Sequence, residues 1–168
     1  MTVSVNHLIM INLNHLNVEK GVSNVDKNII IVPVDGSTYA LEAVHYAVKT
    51  AKAFNSILLL LNVQPKHNEA TAHLLSENEL IQIQEDEANR IFQKVEPILK
   101  DENISYQTKI RVGLPSIEIT SEAKEQQAEA IIMGTRGMGP VVGQALGSVS
   151  YSVSHLTPCP LILVPAKV

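Results

Sequence analysis

From Asn28 onward, short apolar runs alternate with longer stretches in which apolar residues recur every three or four positions. Ile29-Ile-Ile-Val-Pro-Val34 is a β-branched run that predicts a strand, and it stops at Asp35-Gly36-Ser37, a turn and helix-start signal. Ala40, Leu41, Val44, Ala47, Val48 and Ala51 then fall on one face of a helix. Ser56 to Val63 predicts a second strand, ended by Gln64-Pro65, and the polar stretch Lys66 to Asn78 predicts a loop or short helix. Leu80, Ile83, Ala88, Ile91, Val95 and Leu99 mark a long amphipathic helix, which Pro97 is expected to bend or end early. Ile104 to Val112 alternates as a third strand closing at Gly113, and Pro115-Ser116 opens a third helix reaching about Gln127. Ala130-Ile-Ile-Met133 predicts a fourth strand, followed by a glycine-rich loop, a helix over Ser148 to His155 and a fifth strand over Pro160 to Val164.

Strands and helices alternating in this way, with right-handed crossovers, predict an α/β fold in three layers: a five-stranded, doubly wound parallel sheet between helices. Composition agrees with that reading. Apolar residues make up 45% of the chain and aromatic residues 4%, with no Trp, so the core must be built from Ile, Leu, Val and Ala. Residues 1–27 stand apart, with Asn6, Asn12, Asn14, Asn17 and Asn24 around a short apolar patch at His7 to Ile11. They are expected to form an extension to a single domain over residues 28–168. A flexible arm and an edge strand or partner-contacting segment both remain open for them.

Charge and cysteine content narrow the partners. The formal charge is −4 and no run of Lys or Arg forms a basic stripe, so binding to nucleic acid by counterion release has no basis. No apolar run approaches the ~18 residues of a membrane helix, and the N-terminus lacks the pattern of a signal peptide. The single cysteine, Cys159, excludes an internal disulfide and is expected to be a buried, inert thiol between two prolines. These features predict a cytoplasmic protein without membrane contact. The histidines show no metal-ligand spacing, and His45 and His155 read as surface or helix-face residues.

In open α/β sheets ligands bind beyond the C-terminal ends of the strands, where strand order reverses. Two such ends carry candidate chemistry: Pro33-Val-Asp35-Gly-Ser37 and Met133-Gly134-Thr-Arg136-Gly137-Met-Gly-Pro140, the latter continuing to Gly147-Ser148. Gly134, Gly137 and Gly147 leave backbone that a ligand can approach without Cβ atoms in the way. Ser148 stands at a helix N-terminus, where free amides and the helix dipole favour an anion, and a phosphate chain is the natural occupant. Asp35 is either a cap for the first helix or a ribose ligand. Arg136 is open between a phosphate contact and a solvated surface position. A P-loop is excluded because no Lys precedes Ser148. The dinucleotide fingerprint and the receiver-domain pattern fail as well, for want of glycines after the first strand and of clustered acids.

Gly134, Gly137, Gly147 and Ser148 match Gly-x2-Gly-x9-Gly-Ser/Thr, so the segment resembles the signature of the universal stress protein family. The resemblance extends over Asn28 to Pro165, through Ile31-Val-Pro-Val-Asp-Gly-Ser37 at one end and Pro158-Cys-Pro-Leu-Ile-Leu-Val164 at the other. It implies the adenine nucleotide alpha hydrolase-like sheet with strand order 3-2-1-4-5, a homodimer paired through the last strand (residues 160–164), and binding of ATP, or of AMP or ADP. By position it implies Pro33, Asp35 and Val63 around the adenosine, with Asp35 on the ribose and the Val63 backbone on the adenine edge. Met133 and Gly134 fall beside the ribose and α-phosphate, and Gly137, Gly147 and Ser148 on the phosphates. Met138 to Leu146 contains no cation, so a triphosphate would be neutralised by amides, Arg136 and Mg²⁺. The resulting expectation is a regulatory stress-response protein with no catalytic residues and no metal site made by side chains. A slow ATPase or phosphotransferase is the alternative.

Overall fold

The computed structural model describes residues 28–66, 75–138 and 146–166. The expectation for residues 1–27 lies outside the described residues, as does most of that for the polar stretch before the second helix. The elements run β1 (Ile29–Pro33), α1 (Thr38–Phe54), β2 (Ile57–Gln64), α2 (Glu77–Asp101), β3 (Tyr106–Val112), α3 (Pro115–Glu125), β4 (Ala130–Gly134), α4 (Ser148–Leu156) and β5 (Leu161–Val164). They form one five-stranded sheet in the order β3-β2-β1-β4-β5, with every pairing parallel. The predicted fold class and strand order are those of the molecule.

Alternation along each central strand divides the core into two layers. Ile30, Val32, Leu58, Leu60 and Ile132 face α1 and α2, where they meet Ala43, Val44, Ala47, Phe92, Val95 and Leu99. Ile31, Leu59, Leu61, Ile131 and Met133 face α3 and α4, where they meet Ile119, Ala123 and Val153. Each fully buried Leu or Ile side chain contributes roughly 1.5–3 kcal/mol. The small Ala residues of α1 let it lie close against β1 and β4 at the centre of the sheet.

Three local features depart from the sequence reading. Pro97 neither ends nor shortens α2, which runs on to Asp101. Pro97 and Gln93, the residue whose carbonyl the proline leaves open, are both on the solvent side, so water can satisfy that carbonyl. The helix is also secured at its start by a capping box, with the Ser76 hydroxyl accepting from Glu79 N–H and the Glu79 carboxylate accepting from Ser76 N–H at 2.8 Å. Cys159 is half-buried, not buried; burial pushes its thiol pKa up, against partial relief from Thr157.

The third departure is charge inside the second layer. Lys109 and Arg111 on edge strand β3 point at α3, where Glu122 is fully buried. Glu122 accepts from Lys109 Nζ at 2.8 Å, Arg111 at 2.6 Å and Gln126 at 2.8 Å, and Arg111 also pairs with Glu118 and Glu125. Burial alone raises the Glu122 pKa, but these hydrogen bonds outweigh it and hold the carboxyl below its ordinary value. At the opposite edge, β5 is apolar and half-exposed at every position. Among the described residues no helix is long and apolar enough to cross a membrane.

Candidate functional site

β1 and β4 end side by side, and the chain turns away on opposite faces of the sheet from each, which opens a crevice at their C-terminal ends. A cavity of about 240 Å³ occupies it. Pro33, Asp35, Val63, Met133, Gly134, Arg136, Gly137, Gly147 and Ser148 all line this one cavity. Residues scattered over more than a hundred positions of sequence are thereby brought to one place. The wall also includes Ala40, Asn62, Pro115, Ile119, Met138 and Ser150, which sequence reasoning missed. Asn62 was visible as the one polar residue interrupting the apolar run of β2 before Gln64. Pro115 and Ile119 were visible as an i, i+4 pair on the first turn of α3.

The turn after β1 is held by two separate devices. Ser37 is the N-cap of α1, its hydroxyl accepting from Ala40 N–H at 3.1 Å. Asp35 therefore does not cap the helix. Its Oδ1 accepts from Ser37 N–H at 3.0 Å, while Oδ2 reaches across the crevice to accept from Met138 N–H at 3.2 Å. Gly36 adopts φ +80°, which lets the chain reverse between the two.

The glycine loop is pinched at its neck. Gly147 N–H donates to Thr135 O at 2.8 Å, and Thr135 N–H donates to Val164 O at 2.9 Å. The Ser150 hydroxyl, buried at 2% exposure, bridges to Thr135 O at 2.9 Å and to Gly134 O at 3.2 Å. The chain thus leaves the sheet and re-enters helix α4 at almost the same point. Gly134, on the cavity wall, also admits helix α1: a Cβ there would lie 2.7 Å from Tyr39 Cβ and 2.9 Å from its carbonyl carbon.

Helix α4 begins on Gly147 with no side-chain cap, and its first intrahelical bond is Tyr151 N–H to Gly147 O at 2.9 Å. The amides of Ser148, Val149 and Ser150 precede that bond, and all three residues line the cavity. Uncapped amides at the positive end of a helix dipole form a cradle for an anion. The other walls are Pro33, Leu61, Val63, Ile119 and Met133, apolar surfaces suited to a flat ring. Among the described residues no group of three or more His, Cys, Asp or Glu is gathered as a metal site. His45 and His155 are exposed.

Residues 28–165 match the model of the universal stress protein family. The chain belongs to the universal stress protein family. Universal stress protein MJ0531 of Methanocaldococcus jannaschii is 29% identical over 141 residues, covering 80% of each chain. Among solved structures, universal stress protein UspA from Lactobacillus plantarum superposes with a TM-score of 0.71 at 27% identity, over 84% of this chain and 99% of that one. The universal stress protein of Archaeoglobus fulgidus in complex with dAMP shares the fold, with a TM-score of 0.61 at 20% identity over 82% and 97% of the two chains.

Proposed function

We propose that this universal stress protein binds an adenine nucleotide in the cavity at the β1–β4 crevice and acts as a nucleotide-dependent regulator. The observation that carries the reading is the convergence of three recognition elements on one cavity: uncapped amides at the start of α4, the Asp35 carboxylate and an apolar slot beside Val63. Each suits one part of the ligand, phosphate, ribose and base in turn. The dAMP held by the Archaeoglobus protein is a ligand of that chemistry on the same fold.

The uncapped amides at the start of α4 suit the phosphate of a nucleoside monophosphate. ATP would bring its own Mg²⁺, carried on its phosphates, because Asp35 already accepts from two backbone amides. Phosphoryl transfer needs a base or an oriented water next to the γ-phosphate. Among the described residues Asp35 is the one carboxylate lining the cavity, and both its oxygens already accept from backbone amides. Catalysis is therefore the weaker reading. A homodimer paired along residues 160–164 would cover the apolar edge of β5, and the reducing interior of the cell is its expected setting.

The test is mass spectrometry of protein purified without added nucleotide and then denatured, followed by titration calorimetry with AMP, ADP and ATP, with and without Mg²⁺. Release of an adenosine phosphate, or micromolar binding of one, is the expected result. No detectable affinity for any of them overturns the proposal.

A further inference from the structure

Val63 lies where β2 outlasts β1, and the register fixes which way its backbone points. Odd-numbered residues of β2 hydrogen-bond toward β1: Ile57 N–H donates to Asn28 O at 2.8 Å, and Leu61 O accepts from Val34 N–H at 2.9 Å. Even-numbered residues bond toward β3, as in Leu58 N–H to Ser105 O at 3.2 Å and Gly113 N–H to Gln64 O at 2.9 Å. A parallel ladder continued by one rung would place Val63 N–H on the Val34 carbonyl. That rung is not made.

The Val34 carbonyl instead accepts from Asn62 Nδ2 at 2.7 Å. Asn62 is 3% exposed, and its Oδ1 accepts from Gln64 Nε2 at 2.7 Å, which fixes the orientation of the amide. Gln64 stands in the same row of β2, and its own carbonyl is held by Gly113. A side-chain amide has thus replaced a main-chain one at the end of the ladder. Val63 N–H and C=O are left without partners among the described residues, and Val63 lines the cavity. Val63 is half-buried on the cavity wall, where an open main-chain donor and acceptor side by side are available to pair with a ligand.

We propose that Asn62 is a positioning residue for base recognition. By occupying the Val34 carbonyl it stops the β1–β2 ladder one rung short and keeps the Val63 amide edge open to a base. One donor beside one acceptor matches the ring nitrogen N1 and the 6-amino group of adenine. The inference rests on the nucleotide reading above and adds the source of its base specificity.

Two measurements test it. The first compares affinities for AMP and for purine riboside 5′-monophosphate, which lacks only the 6-amino group. Ribose and phosphate contacts cancel in that ratio. The wild-type protein is expected to prefer AMP by about tenfold, the effect of one well-placed hydrogen bond, and Asn62→Leu is expected to bring the ratio to within about twofold of one. The second follows hydrogen exchange of the Val63 amide in nucleotide-free protein. Exchange is expected to be fast in the wild type and at least about tenfold slower in Asn62→Leu, because Val63 N–H then takes the vacated Val34 carbonyl.

An unchanged AMP preference in Asn62→Leu, with affinity for both ligands falling equally, makes Asn62 merely structural and overturns the inference while leaving nucleotide binding intact. A Val63 amide already protected in the nucleotide-free wild type overturns it as well, and needs no variant to fold. If neither monophosphate binds the wild type, the nucleotide reading itself falls, and the base-recognition role with it.

Discussion

The Asp35 carboxylate rests on the backbone of Gly137. Its Oδ2 lies 2.5 Å from where a Cβ of residue 137 would stand, and the same oxygen accepts from Met138 N–H at 3.2 Å. The two ends of the site, supplied by β1 and by the glycine loop, meet at this contact. A nucleotide whose ribose engages Asp35 therefore acts on the loop through the same carboxylate.

The contact separates two glycines that look alike in sequence. Gly137→Ala forces Asp35 or the loop aside and is expected to lower adenine-nucleotide affinity by roughly tenfold to a hundredfold, the worth of a charge-assisted hydrogen bond, with little effect on melting temperature. Gly134→Ala drives a methyl into the Tyr39 backbone and is expected to destabilise the fold by about 1–3 kcal/mol. Calorimetric titration and thermal melts on both variants distinguish the cases. Equal affinity in Gly137→Ala and wild type contradicts the first expectation.

Ser148 and Ser150 divide in the same manner. Ser150→Ala removes the hydroxyl that ties Gly134 O and Thr135 O to α4 and is expected to cost about 1–2 kcal/mol of stability. Ser148 is exposed and caps nothing, so Ser148→Ala is expected to stay within roughly 0.5 kcal/mol of wild type. Its effect is expected on phosphate binding, read as a smaller ratio of AMP to adenosine affinity. A large loss of stability in Ser148→Ala would count against this division of roles.

Stability should depend on acid through Glu122. Its folded carboxyl titrates below its ordinary value, so as pH falls the unfolded chain takes up the proton first. The stabilisation is complete above the ordinary glutamate range and is lost as pH descends through the folded value. Glu122→Gln leaves Lys109 and Arg111 without their shared buried partner and is expected to cost roughly 3–5 kcal/mol near neutrality. Denaturant unfolding from about pH 7 down to about pH 3 should show the gap between the two proteins narrowing. A gap independent of pH refutes the assignment.

The Cys159 thiol has its pKa raised by burial, with Thr157 only partly opposing the shift. At neutral pH the thiolate is scarce, and alkylation by iodoacetamide is expected to be slower than for free cysteine. Mass spectrometry of a timed labelling reaction reads this directly. Labelling as fast as glutathione would contradict it.

Much of the molecule was legible in the order of its residues because a doubly wound sheet imposes local rules. Buried strands read as unbroken apolar runs, helices as stripes, and the β1–β4 crevice follows from the connections. The Asp35 turn and the Gly134 to Ser148 loop could be assigned to one place for that reason. What escaped notice depends on which surfaces dock. Gln107, Lys109 and Arg111 alternate along β3 like a solvated face, and only the arrival of Glu122 on α3 makes that face an interior. Asp35 has the composition of a cap, yet Ser37 two residues later takes that role, and the carboxylate finds its second partner at Met138. Asn62 gives its side-chain amide to the Val34 carbonyl, and the missing rung beside it is signalled by no local pattern.

The two borders of the sheet differ in a way that bears on how copies of this protein meet. Along β3, guanidinium, ammonium and carboxylate groups crowd the margin and disfavour a strange strand. Along β5, nothing but aliphatic side chains stands at the rim. A molecule adhesive at one border alone can join a single twin and is then spent, whereas adhesion at both would let copies add without end. If copies pair along β5, the ion cluster on β3 would keep further copies from adding at the other border, and stripping it of charge would risk fibres.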